Sequence, residues 1–158
     1  MKGFGALQNL PDLLAKLRYD FARVEQDPSD SYAAFDFFVT AEHMIDWAYP
    51  GYANRDARES LRRSSVLLQV VSHIASGSKH FVAEARHHES VQHADTVGGS
   101  FDPGVRPDGL AVGTLYVTLE GAAANTLGAR VGAVELASQV LRLWEEYVER
   151  QRLTEGKA

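Results

Sequence analysis

Apolar residues recur along this chain in two different rhythms. From residue 10 to the mid-seventies they return every three or four positions, which predicts helices; between 91 and 119 they alternate, which predicts strands; after 132 the helical rhythm resumes. The first helix carries Leu10, Leu13, Leu14, Leu17, Phe21 and Val24, with Asp12, Lys16, Arg18, Asp20 and Arg23 as the polar positions between them. Asn9 is its predicted N-cap, with Pro11 tolerated in the first turn. Asp27-Pro28-Ser29-Asp30 breaks the pattern and offers caps for a second helix near 30–48. That helix is apolar on most of its surface (Phe35, Phe37, Phe38, Val39, Met44, Ile45, Trp47), with Asp36, Glu42, His43 and Asp46 as its polar positions, and Tyr49-Pro50-Gly51 stops it.

A third, central helix is predicted to have Asn54 as its N-cap and to run through Val66, Leu67, Leu68, Val70, Val71 and Ile74. It is apolar nearly all round, as expected of a helix wrapped by others. Gly77 is the predicted C′ residue that ends it. In Thr114 to Leu119, residues Leu115, Val117 and Leu119 face one way and Thr114, Tyr116 and Thr118 the other. Its expected partner is the stretch Val91 to Val97, across a long loop with two turn signals, Asp-Pro-Gly and Pro-Asp-Gly. Gly121 to Gly132 reads as small and flexible, and a last helix over 132–152 places Leu136, Val140, Leu143, Trp144 and Tyr147 on one face. The expectation is a mainly α fold: four long helices, with a β-hairpin excursion at about 89–120 between the third and fourth, in a single domain over 1–158. Short connections favour antiparallel helix neighbours.

Composition narrows the chemistry. The net charge of -5 argues against loose binding to nucleic acid or anionic membranes, while leaving room for a small basic site. The absence of Cys excludes disulfides and thiolate chemistry. The start, MKGFGALQNL, has neither a long apolar run nor a cleavage site, and no stretch approaches a membrane span; a cytoplasmic protein without membrane contact is expected.

Three groups of side chains stand out. Lys79 and His80 follow the apolar helix at once, which suits either a charged helix end or a site held rigid by that helix. Arg55, Arg58 and Arg62, with Arg63 beside them, form a stripe that reads as a solvated face or as a phosphate- or partner-binding surface. Four of the six His lie between 80 and 93, beside Glu84, Glu89 and Asp95, and Glu84-x-x-His87 has the spacing of a bridging carboxylate site. A second such pair is missing, so no metal and no other cofactor is expected; a centre drawn from Glu42, Asp46, Glu84, His87 and His88 ranks third among the readings. His73, in an apolar helix, is expected to be a hydrogen-bonded core or interface residue. An exposed apolar patch near Tyr116 would instead mark a module that docks a protein partner.

The stretches AAFDFFVTAEHMIDW, IASGSKHF and GTLYVTLEG, followed by the final Leu-x-x-Trp-Glu-x-Tyr-Val helix, resemble an uncharacterised group of small bacterial helical proteins. More distantly, that group is similar to the HEPN superfamily of four- or five-helix domains, which includes metal-independent RNases of toxin and phage-defence systems as well as non-catalytic binding members. The resemblance implies a HEPN-like four-helix bundle, a homodimer, and RNA or a protein as partner. Active HEPN domains carry an Arg, then four to six residues, then a His; here Arg86 and His93, with six residues between them, have that spacing. Related families also carry a Lys-His pair where this chain has Lys79 and His80. The implied chemistry is transfer to the RNA 2′-hydroxyl, with His80 as acid and base, Lys79 and Arg86 on phosphate, and Arg55, Arg58, Arg62 and His93 in binding.

Overall fold

The computed structural model of the protein describes residues 4–80, 90–96 and 113–155, without the side chains at 78–80 and 155. The described residues form six α-helices and three strands: α1 (Leu10–Gln26), α2 (Ser31–Ala48), α3 (Arg55–Arg63), α4 (Val66–His80), β1 (Val91–Thr96), β2 (Leu115–Leu119), α5 (Gly121–Leu127), β3 (Arg130–Gly132) and α6 (Ala133–Glu155). The protein is mainly helical, with one small antiparallel sheet in the order β1-β2-β3. No helix among the described residues is long and apolar enough to cross a membrane.

Helix α2 packs on α1, α3, α4 and α6, and α1 also packs on α6. This follows from its sequence, since a helix with apolar residues around most of its surface must bury more than one face. Phe37, Met44 and Ile45 of α2 are fully buried, together with Leu17 of α1, Leu68, Val70 and Val71 of α4, and Trp144 of α6. The caps are local. Asn9 Oδ1 accepts from the Asp12 amide at 2.9 Å, as its sequence predicts, and Asp30 Oδ1 accepts from the amides of Tyr32 and Ala33.

Four expectations need correction. The central helix is two helices. After Arg63 the chain turns at Ser64 and Ser65, where the Ser64 hydroxyl donates to the Leu61 carbonyl and Gln69 Nε2 to the Arg63 carbonyl. Side chains that bond the neighbouring backbone offer it an alternative to the helical ladder. Asn54 does not cap with its side chain; its Nδ2 donates to the Pro50 carbonyl at 2.7 Å. Gly77 does not end α4, which continues to His80 with Gly77 as an ordinary interior residue of negative φ. Asp20 is no surface residue: it is 1% exposed, where Lys16 Nζ reaches it at 2.5 Å and the Thr40 hydroxyl of α2 at 2.7 Å.

The β excursion pairs as its alternation predicts, β1 against β2, with a bulge between Val91 and His93. The third strand is new. Val131 pairs with Val117 and is buried beside Leu115, Val117 and Leu119, so the stretch expected to be flexible holds both α5 and a strand. Three backbone amides tie the sheet to the helical part of the molecule. The Leu115 amide donates to the Pro28 carbonyl at 2.8 Å, and His73 Nδ1, buried on α4, accepts from the amides of Ser90 and Val91 at 3.2 and 3.0 Å. His73 is the hydrogen-bonded interface residue that its apolar surroundings predicted. The expected turns at 98–109 and the uncertain stretch 82–88 lie outside the described residues.

A cleft between α2 and α4 as candidate functional site

One side of the contact between α2 and α4 opens into a cleft of about 420 Å³. Phe35, Val39, Glu42, His43 and Asp46 of α2 form one wall, and Ala75 and Ser76 of α4 the other. The spacing 35, 39, 42, 43, 46 is one helical face, so a regular helix sets these groups in a row. Phe35 is 45% exposed and supplies the cleft with an aromatic rim.

Glu42 is the electrostatic centre of this wall. Arg62 of α3 holds its Oε1 with Nη2 at 2.6 Å and Nε at 3.2 Å, while Oε2 is buried without a hydrogen-bond partner among the described residues. Burial pushes the Glu42 carboxyl above the usual carboxylate range; Arg62 opposes that rise, Asp46 adds slightly to it, and the nearby Ser72 hydroxyl offsets a little. Arg62 also binds Glu59 Oε2 at 3.0 Å. Burial alone would lower the Arg62 guanidinium, but Glu42 and Glu59 together raise it. One cation serving two carboxylates is itself well stabilised, whereas Glu42 receives part of a cation and keeps one buried, unpartnered oxygen.

Arg58 acts in the same way one turn earlier. Its Nε lies 3.2 Å from Asp46, and its Nη1 donates to the carbonyls of Tyr49 and Gly51 at 2.8 and 2.7 Å. Two members of the arginine stripe therefore clamp α3 onto α2, and each neutralises one carboxylate of the cleft. Arg55 is exposed at the start of α3, and Arg63 pairs with Glu59 at 2.7 Å. The pairing of Arg58 and Arg62 was not legible from the stripe. A signal was present in the acids at 42 and 46 and the arginines at 58 and 62, which share the four-residue period of two facing helices.

Lys79 and His80 are the last two residues of α4, one helical turn beyond Ala75 and Ser76 of the cleft wall. Arg86 lies outside the described residues, as do Glu84, His87 and His88. His93, spaced from Arg86 as in active HEPN domains, stands on strand β1 with its side chain 54% exposed. Among the described residues no three His, Cys, Asp or Glu side chains group closely enough to hold a metal ion.

The architecture is that of a mainly helical protein with a small antiparallel sheet and an amphipathic cleft between α2 and α4. No protein-family model, curated protein or solved structure matches the chain.

Proposed function

We infer that this chain is a HEPN-like helical module of the bacterial cytoplasm, defence- or toxin-associated, that works as a homodimer and binds RNA. The observation that carries this reading is the cleft between α2 and α4, whose α4 wall continues within one turn to Lys79 and His80. A concave site with an aromatic rim suits a nucleotide better than a flat surface does. The carboxylates of Glu42 and Asp46 would repel phosphate if bare, but each carries an arginine from α3. In this reading the Lys79–His80 end of α4 takes phosphate, with Phe35 beside the bases.

The test is fluorescence anisotropy with a labelled single-stranded RNA pool, in EDTA and over a range of salt. Binding should weaken as salt rises, and replacing both Lys79 and His80 by Ala should weaken it further and lower the salt slope by about one. The same samples report cleavage on a gel. Cleavage abolished by His80→Ala and by Arg86→Ala, with folding intact, would extend the reading to a metal-independent RNase. A folded wild type that leaves the whole RNA pool unbound overturns the RNA reading in favour of a module that docks a protein.

A further inference from the structure

Strand β1 is an outer strand of the sheet, with β2 on one side and no strand on the other among the described residues. Residues 92–96 are all exposed, and the strand holds neither Pro nor Lys, which commonly blunt an open edge. The direction of its backbone groups follows from its neighbours. In β2 the amides of Leu115 and Leu119 donate away from β1, to the carbonyls of Pro28 and Ala129. Backbone groups alternate in direction along a strand, so Tyr116 and Thr118 bond to β1, where Asp95 and His93 stand opposite them. The N–H and C=O of Ala94 and Thr96 therefore point outward, and no group among the described residues bonds them there.

This edge is complementary to itself. A twofold axis at Ala94 of an antiparallel pair sets Ala94 against its own copy, in a pair that exchanges two backbone hydrogen bonds. The same axis sets His93 against the partner's Asp95 and Gln92 against the partner's Thr96. Each copy thus presents an imidazole where the other presents a carboxylate, twice over, and opposite charges facing across strands stabilise the pair. Both side chains have room for this. His93 is 54% exposed, and its Nε2 lies 3.6 Å from its own Asp95, too far for a hydrogen bond. Asp95 is 46% exposed and is held by Arg130 Nη2 alone, at 2.8 and 3.0 Å, whereas a carboxylate accepts about four hydrogen bonds. Ala94 lies opposite Val117 on the face that β2 buries, and its small side chain lets two such edges meet without a clash. The bulge between Val91 and His93 leaves the regular part of the edge centred close to Ala94.

We propose that β1 is the surface on which a second copy of this chain docks: two protomers join edge to edge about Ala94, and two three-stranded sheets become one sheet of six strands. The inference rests on the homodimer of the proposed function and names the interface that forms it. It needs no RNA, and it leaves the cleft between α2 and α4 open. A contact of so few residues makes a weak dimer, one that separates on dilution.

The experiment is sedimentation equilibrium on the full chain, comparing the wild type with Ala94→Pro, His93→Asp and the double variant His93→Asp with Asp95→His. Ala94→Pro removes a donor that points out of the sheet, where edge strands tolerate Pro, and should raise the dimer dissociation constant at least about tenfold. His93→Asp sets a carboxylate against the partner's Asp95 on both sides of the axis and should raise it about fivefold. Adding Asp95→His restores opposite charges across the axis and should recover most of that loss. Amide exchange gives a readout that needs no mutation, should Ala94→Pro fail to fold. The Ala94 amide should be protected in the dimer and exchange freely on dilution, while the amides of His93 and Asp95, bonded to β2, stay protected at both concentrations. If the wild type dimerises and the Ala94 amide exchanges freely in that dimer, or folded His93→Asp dimerises equally well, another surface joins the protomers: this inference fails and the homodimer stands. A wild type that is monomeric throughout overturns both.

Discussion

His73 shows how much one side chain can organise. Its Nδ1 accepts two successive backbone amides, Ser90 and Val91, at the point where the chain enters β1. A ring nitrogen that accepts must be unprotonated, so the neutral ring is the form that docks the strand. His73→Leu fills most of the space but leaves both amides without an acceptor, and should cost about 2 kcal/mol of stability. Hydrogen exchange at Ser90 and Val91 should speed up in that variant more than exchange in α1. His73→Asn, whose Oδ1 reaches the place of Nδ1, should recover part of the loss; equal behaviour of the two variants would mean that packing, not hydrogen bonding, is what His73 supplies.

Glu42 and Glu59 share Arg62 and yet pull stability in opposite directions with pH. The Glu42 carboxyl is raised by burial, so its contribution is fully present below the ordinary carboxylate range and is lost as pH rises through its folded value. Burial is the largest single influence on Glu59 and pushes its carboxyl up, but the hydrogen bonds and charges of Arg62 and Arg63 together outweigh it, and the carboxyl is lowered overall. Its contribution is present above the ordinary range and lost as pH falls through the depressed value. Denaturant midpoints measured from about pH 2.5 to 8 should therefore rise towards neutral pH more steeply in Glu42→Gln than in the wild type, and rise less steeply through the acid end of that range in Glu59→Gln. Parallel curves for all three proteins would remove the assignment.

At the scale of elements, two features of the helices make predictions. Gly77 sits inside α4 with negative φ, and a Cβ placed there meets no atom within 4 Å. Gly77→Ala should thus raise stability by about 0.5–1 kcal/mol, because Ala loses less backbone freedom on folding. A lower melting temperature in that variant would show that the end of α4 needs the glycine for something other than the helix. Arg58 ties α3 to the end of α2 through three acceptors, of which two are backbone carbonyls. Arg58→Ala should cost about 1 kcal/mol, whereas Arg55→Ala, at an exposed position on the same helix, should cost nearly nothing.

For the whole molecule, the homodimer is the part of the proposal that stands apart from RNA. Sedimentation equilibrium over a hundredfold range of concentration should give a dimer mass that dissociates on dilution; a monomer throughout would remove the homodimer from the proposed function. The apolar rhythm determined the buried faces of α1, α2, α4 and α6, because a helix that carries Leu, Phe and Val every third or fourth residue can hide them only against other helices. Alternation in 114–119 likewise determined which side of β2 is buried, since a strand has only two faces. Even the role of His73 was legible, because a polar ring in an apolar helix must find a partner. Tertiary structure alone decided the rest. Which arginines of the stripe are spent on Glu42 and Asp46 depends on how closely α3 lies against α2, and no local pattern records that distance. Asp20 is buried because Thr40 of a different helix meets it. The strand at 130–132 exists because the free edge of β2 was there to pair with it, and a three-residue segment has too little sequence of its own to announce a structure that another strand confers.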